Sequence, residues 1–304
     1  MNRTDTPNMN QPLVATIGFF DGVHAGHRFL IEHLKQIARA KNEASAIITF
    51  PVHPRKVLQD SFIPALLTNY DEKMHHLSEM APDFLIPLNF TSELSQLSAE
   101  EFIKRVLIER LNVSRLLIGY DHRFGKGRTE SFDDYVVFGK KYGAEVILAN
   151  ACKIDGINIS SSFIRKLLLR GDVKQAGRYL TYNYRLKGHV VHGRQIGQSI
   201  GFPTANIRPN DNDKIIPATG VYAVQVEIDG LRYDGMLNIG CNPTVSSDQK
   251  LTIEVHLFNF NQNIYGKNIS IEFIDYIREE MKFASLDELK NQLTKDMEKV
   301  KLTD

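Results

Sequence analysis

The feature that most limits what this chain can fold into is a change of rhythm near residue 183. Before it, short apolar runs alternate with segments of helical spacing. Leu13–Ile17 is a continuous apolar run ending in Gly18, and Leu30, Leu34, Ile37 and Ala38 then recur on one helical face. Ala46–Phe50 is strand-like until Pro51 stops it, and Ser98 with Glu101 predicts a capping box opening a helix over Phe102–Leu111. Leu116–Gly119, Asp133–Lys141 and Glu145–Ala149 continue the alternation of strand and helix. Such a rhythm predicts an α/β unit: a parallel sheet covered by helices, with ligands at the carboxyl ends of its strands.

Beyond residue 183 the runs become short, partly alternating and evenly spaced between Gly, Pro, Asn and Asp. Arg185–Val191, Val221–Ile228, Tyr233–Ile239, Leu251–Phe260 and Ile269–Ile274 predict a small antiparallel barrel. Leu286, Leu289, Leu293 and Met297 predict a closing amphipathic helix. The expected division is therefore residues 1–182 and 183–304, with the junction somewhere in 175–188.

Composition narrows the function classes. The 304 residues carry 37 Lys and Arg against 36 Asp and Glu, with 23 basic and 20 acidic residues up to position 182 and 14 and 16 after it. Neither half is polybasic, which argues against an extended nucleic-acid surface. No apolar run approaches the ~20 residues of a membrane helix, and the polar start MNRTDTPNMNQP lacks a hydrophobic signal core. Cys152 and Cys241 form neither a disulfide framework nor a zinc motif, so a reducing cytoplasm is expected. Oligomeric state has no signature in the sequence.

Chemistry concentrates in Gly18-Phe19-Phe20-Asp21-Gly22-Val23-His24-Ala25-Gly26-His27, directly after a predicted strand and before a predicted helix. Glycines let backbone approach a phosphate, the helix N-terminus favours anions, and two imidazoles flanking Gly26 can donate to phosphate oxygens. A glycine-rich turn with two surface histidines is the plainer reading of the same residues. Ile159-Ser160-Ser161-Ser162-Phe163-Ile164-Arg165 repeats the theme, with three hydroxyls and a guanidinium at a helix start, although alone it reads as an ordinary capped helix. In the second half Gly188, Gly193, Gly197 and Gly201 lead into Phe202-Pro203-Thr204-Ala205-Asn206. Thr204 and Asn206 present hard oxygen donors on one side of an extended segment, suited to Mg²⁺ with its nucleotide, or simply form a turn.

The first half resembles the adenylyltransferase half of the bifunctional bacterial riboflavin kinase/FMN adenylyltransferases, the FAD synthetases. The matching residues are GFFDGVHAGH, Phe50-Pro51-Val52-His53-Pro54-Arg55, Leu97-Ser98-Ala99-Glu100-Glu101-Phe102, Gly119-Tyr120-Asp121-His122-Arg123-Phe124-Gly125-Lys126-Gly127-Arg128 and ISSSFIR, with Ser162 at the usual Thr place. The second half resembles riboflavin kinase through GRQIGQSIGFPTANI, Gly220-Val221-Tyr222-Ala223, Asn238-Ile239-Gly240 with Pro243-Thr244, Glu254-Val255-His256-Leu257, Tyr265-Gly266-Lys267, and Ile277-Arg278 with Lys282-Phe283. Together the matches run over about residues 14–295 in family order.

The resemblance implies a Rossmann-like nucleotidyltransferase domain followed by a β-barrel kinase domain closed by a helix. It implies riboflavin phosphorylated to FMN by the second domain and FMN adenylylated to FAD by the first, with ATP in both steps. His24, His27 and Arg165 are then catalytic in the first site, and Gly18, Phe20, Asp21, Gly22, Gly26, Asp121, Ser161 and Ser162 bind nucleotide or flavin there. Glu254 becomes the kinase base, Thr204 and Asn206 hold Mg²⁺, and Gly193, Gly197, Gly201, Pro203 and Asn238 bind substrates. Nothing in the strand pattern itself prefers Glu254 to Glu227 or Glu272.

The chain departs from the family at His122, Thr129-Glu130, Asn242 and Asn259, and at Leu180-Thr181-Tyr182-Asn183-Tyr184 in the expected linker. Two alternatives follow. Similar signatures serve pantetheine phosphate, nicotinamide mononucleotide and glycerol phosphate, but those enzymes lack the Pro-Thr-Ala-Asn barrel. The other is a flavin- or nucleotide-binding regulatory module that has lost an activity, supported only by the substituted flavin-loop positions.

Overall fold

The computed structural model describes residues 11–59, 61–120, 122–193, 197, 201–242 and 250–301. Asp121, Pro243, Thr244 and parts of the glycine-rich stretch before Phe202 lie outside them. The chain packs as two compact units divided between Ser161 and Ser162.

In the first unit, β1 (Leu13–Gly18), β2 (Ala44–Thr49), β3 (Phe84–Pro87), β4 (Val113–Ile118) and β5 (Glu145–Leu148) form one sheet in the order β3-β2-β1-β4-β5. Every neighbouring pair is parallel. The unbroken apolar run of β1 has its reason in this position. Leu13, Ala15 and Ile17 enter one hydrophobic core, and Val14 enters a second core with Ile47 and Leu117. A central parallel strand is covered on both faces and needs no polar alternation.

Helix α1 (Ala25–Lys41) covers the second core through Ile31, Leu34 and Ala38, and Asn42 ends it in a left-handed conformation at φ 53°. Helix α2 (Tyr70–Glu79) opens with a capping box of Asn69 and Glu72. The expected capping box of Ser98 and Glu101 is present, but the helix it opens widens into a π-helical segment over Phe102–Ile108. Helix α3 (Phe132–Tyr142) precedes β5, and a small hairpin, β6 (Lys153–Ile154) and β7 (Ile157–Asn158), leads to the end of the unit.

Helix α4 (Ser161–Leu168) begins at the last residue of that unit, and α5 (Val173–Leu180) packs on the barrel. The barrel strands are β8 (Arg185–Val191), β9 (Ala205–Pro209), β10 (Gly220–Ile228), β11 (Leu231–Asn242), β12 (Lys250–Leu257) and β13 (Asn268–Arg278). They close in the order β10-β11-β12-β9-β8-β13, all antiparallel. Alternating residues such as Leu186, Val190, Ile253, Val255, Ile271 and Phe273 are buried. A second apolar layer joins Val221, Ala223 and Met236 to Leu293 and Val300 of the closing helix α6 (Leu286–Lys301).

Residues 181–184, expected as a linker, belong to this unit. Thr181 closes α5 at φ 71°, and Tyr184 is wholly buried with its hydroxyl donating to the Ile215 carbonyl at 2.6 Å.

Candidate functional sites

In the α/β unit the strand order reverses beside β1, which is where open parallel sheets bind ligands. The loop leaving β1 is tightly shaped. Phe20, Gly22 and Val23 have φ of 54°, 78° and 36°. For a β-branched valine that is an unusual backbone, and such strain is held only where the surroundings over-determine it. Gly18 is needed because a methyl group there would press within 3.1–3.3 Å of the Phe20 ring.

Two residues expected to meet the nucleotide are turned inward. Phe20 is buried in the second core. The Asp21 carboxylate, 3% exposed, accepts from the Leu67 and Thr68 amides at 3.0–3.1 Å, and Gly22 N–H donates to Thr68 Oγ1 at 3.0 Å. Their side chains shape the loop from within.

His24 caps α1: its Nδ1 accepts from the His27 amide at 3.4 Å, so the proton of the neutral ring lies on Nε2. The His24 and His27 rings stack at 3.6 Å with 20° between planes. Gly26 allows this, since a methyl there would lie 3.1–3.2 Å from the His24 ring and the Ile159 carbonyl. Burial first, then the neighbouring His24, His122 and Lys73, hold His27 well below the ordinary imidazole range. Its Nδ1 is buried with no hydrogen-bond partner among the described residues. A phosphate oxygen suits such a pair.

The serine motif reaches the same loop through Ser161, whose hydroxyl donates to the Asp21 carbonyl at 2.9 Å. Ser162 stands in the first turn of α4 and Arg165 in its last. Across the sheet, the loop after β4 carries His122 and Phe124. The Phe124 ring stacks on Tyr135 at 4.4 Å, and Gly125, at φ 91°, lies where a methyl group would strike the Ala99 backbone.

In the barrel, register assembles what the sequence scatters. Val221, Asn238, Glu254, Asn206 and Val191 are successive cross-strand partners, forming one row across five strands. Directly opposed residues share a face, so Asn238, Glu254 and Asn206 stand side by side. Thr204 Oγ1 donates to Glu254 Oε2 at 3.3 Å. Gly193 lies so close that a methyl group would meet Asn206 Nδ2 at 1.9 Å, and one on Gly197 would meet the Phe202 carbonyl at 2.2 Å. Gly201 takes φ 84°.

Thr204, Asn238 and Glu254 line a cavity of about 330 Å³ bordered also by His256, Arg278 and Leu293. The cavity thus lies on the outer face of the barrel beside α6. Register also separates the glutamates: Glu272 is tied to Arg185 at 2.6 Å, and Glu227 faces Arg232.

Two residues with a place in these sites were not expected. His256, two positions after Glu254, donates from Nδ1 to the Pro203 carbonyl at 2.8 Å, and burial lowers its pKa. The strand alternation that puts Glu254 on this face puts His256 there too. Lys73 is 1% exposed beside the β1 loop, and its spacing with His76 and Leu77 marks a buried helical face occupied by a lysine. Of the atypical residues, Asn259 sits at φ 53°, a conformation asparagine tolerates.

An FAD synthetase family model matches residues 6–163 and a riboflavin kinase family model matches residues 180–303. Among curated proteins, a bifunctional riboflavin kinase/FMN adenylyltransferase from Haemophilus influenzae is 38% identical over 292 residues, covering 96% of this chain and 94% of that one. Proteins of the same name from Listeria monocytogenes and Escherichia coli K12 are 37% and 36% identical, each covering 93% of this chain and 90% of theirs. A solved structure from Streptococcus pneumoniae, described as a macrolide-efflux protein, superposes with a TM-score of 0.87 at 32% identity, covering 99% of this chain and 97% of that one. Efflux is said of that protein; here, among the described residues, no helix is long and apolar enough to cross a membrane. With both halves matched in order and relatives aligned over nearly its whole length, the chain belongs to the bifunctional riboflavin kinase/FMN adenylyltransferase family.

Proposed function

We infer that this chain makes flavin cofactors in two ATP-dependent steps, riboflavin to FMN and FMN to FAD. The observation that carries this is one chain holding both units, each matched by its own family model. The partners are small molecules: ATP, riboflavin and FMN.

In the kinase step the riboflavin 5′-hydroxyl oxygen bonds to the γ-phosphorus of ATP. The bond from that phosphorus to the β–γ bridging oxygen breaks, and ADP leaves. Glu254 takes the hydroxyl proton, a role suited to a carboxylate lining the cavity. Gly193, Gly197, Gly201 and Pro203 shape the nucleotide side, and Asn238 flanks the base. The Thr204 hydroxyl and Asn206 carbonyl are hard oxygen donors next to Glu254, and this donor set fits Mg²⁺. When bound, the ion neutralises phosphate charge.

In the adenylyl step an FMN phosphate oxygen bonds to the α-phosphorus of a second ATP. The bond to the α–β bridging oxygen breaks and pyrophosphate leaves. His24 and His27 donate hydrogen bonds to the phosphates, backbone at Gly22 and Gly26 permits close approach, and Ser161, Ser162 and Arg165 complete the binding set. Little covalent work is required of the protein, so positioning and electrostatics supply the rate. We propose the division of labour at 1–182 and 183–304; the two family matches end at 163 and begin at 180, close to that boundary. Two free cysteines suit a cytoplasmic location.

The test is to incubate the protein with riboflavin and Mg-ATP and separate the flavins. FMN then FAD are expected. Glu254→Ala should stop FMN formation while FMN added directly still becomes FAD; His27→Ala should do the reverse. Equal loss of both steps in both variants would overturn the two-site assignment.

A further inference from the structure

Lys73 stands in an unusual place for an ammonium group. Helix α2 carries it to where the carboxyl ends of β1 and β2 meet, a junction fixed by the register Gly18↔Thr49. Its Nζ donates to the Phe50 carbonyl, just past β2, at 2.6 Å, and lies 3.8 Å from the ring centroid of Phe19, just past β1. Its direct contacts, a carbonyl and a π face, are only partial counter-charges, and the Asp21 carboxylate acts on it electrostatically. Burying an ammonium against them is costly, and an apolar side chain of similar length would fill the space at less cost. The cost is concentrated at the end of the sheet where parallel α/β units bind ligands.

The charge is felt in the loop itself. Asp21 favours the charged amine while burial pulls its pKa down to about 7, and Lys73 in turn helps keep His27 neutral. A phosphate beside His27 would favour the ammonium.

We propose that Lys73 is a positioning residue of the adenylyl step, pinning the strained β1–α1 loop through Phe19 and Phe50 and holding positive charge beside the His24–His27 pair. This rests on the assignment of that pair to the adenylyl site. Lys73 acts through the loop, so its loss lowers kcat for FMN adenylylation more than it raises KM.

The test compares Lys73→Met, Lys73→Arg and His27→Ala in the full chain, with riboflavin phosphorylation on the same molecule as internal control. Lys73→Met should keep an unchanged or higher Tm and unaltered phosphorylation, while kcat for FMN to FAD falls about 10- to 100-fold, in line with the loss of a positioned charge. Lys73→Arg should recover part of that rate. Wild-type adenylylation in Lys73→Met, or a loss that merely follows a lowered Tm and is not recovered by arginine, would reduce Lys73 to packing. If His27→Ala abolishes adenylylation while Lys73→Met leaves it intact, the Lys73 role alone fails. Should His27→Ala itself adenylylate normally, the underlying site assignment falls with it.

Discussion

The two units handle phosphate chemistry with different physics. The site proposed in the α/β unit centres on ten consecutive residues, where a strand ends, the backbone turns through left-handed conformations at Phe20, Gly22 and Val23, and a helix begins. The barrel uses regular strands, and the site proposed there is made of side chains brought abreast by antiparallel pairing, Asn238 beside Glu254 beside Asn206. A site of the first kind depends on backbone shape and on buried groups that hold a loop. One of the second kind depends on register and on whatever covers the outer face of the sheet.

That contrast can be broken most severely at the barrel's cover. Arg278 makes a two-pronged ion pair with Asp296 of α6, whose carboxylate is fully buried. Arg278→Ala should cost about 3–5 kcal/mol by stranding that charge, read as a lowered urea midpoint together with weaker riboflavin phosphorylation. Removing the exposed Lys174 from its pair with Asp275 should cost less than ~1 kcal/mol. Similar losses in the two variants would show that α6 is not secured by the buried pair.

A smaller effect is expected at Gly193. The Gly193→Ala methyl would collide with Asn206, so phosphorylation should fall about 10- to 100-fold while adenylylation of added FMN continues. An unchanged kinase rate would mean that Asn206 has room to move and that register alone does not place it.

The smallest effect belongs to the α/β site and concerns pH. The folded pKa of His27 is depressed by burial, so below about pH 6.5 the unfolded chain takes up a proton the folded chain refuses. Stability is therefore lost as pH falls from about 6.5 toward the folded value. His27→Gln should flatten the dependence of Tm on pH between about 5 and 7. An unaltered slope would place the titration elsewhere, His76 and His256 also being lowered by burial.

The same contrast explains what could be read in advance. The Gly18–His27 loop was legible because its parts are contiguous and its flanking periodicities are strong. Glu254 was not separable from Glu227 or Glu272 by pattern, because each simply alternates with apolar residues on a strand. Partners across the sheet separate them: Glu272 meets Arg185, Glu227 faces Arg232, and Glu254 meets Asn206. The inward turn of Phe20 and Asp21 was equally hidden, since a motif specifies residue types without saying which support the loop and which face its ligand. The apolar periodicity after Ser98 predicts a helix over this stretch but does not encode that it is π-helical.

By itself the sequence determined the two rhythms, the strand-to-helix histidine loop, the capping boxes and the glycines, all properties of neighbours along the chain. Periodicity and turn chemistry are local, so they survive in a string of letters. Tertiary structure alone decided which glutamate stands beside the Thr-Asn pair, which loop residues serve as scaffold, and that a lysine is buried against Phe19 and Phe50. Those depend on strand register and on contacts between residues far apart in sequence, which only packing fixes.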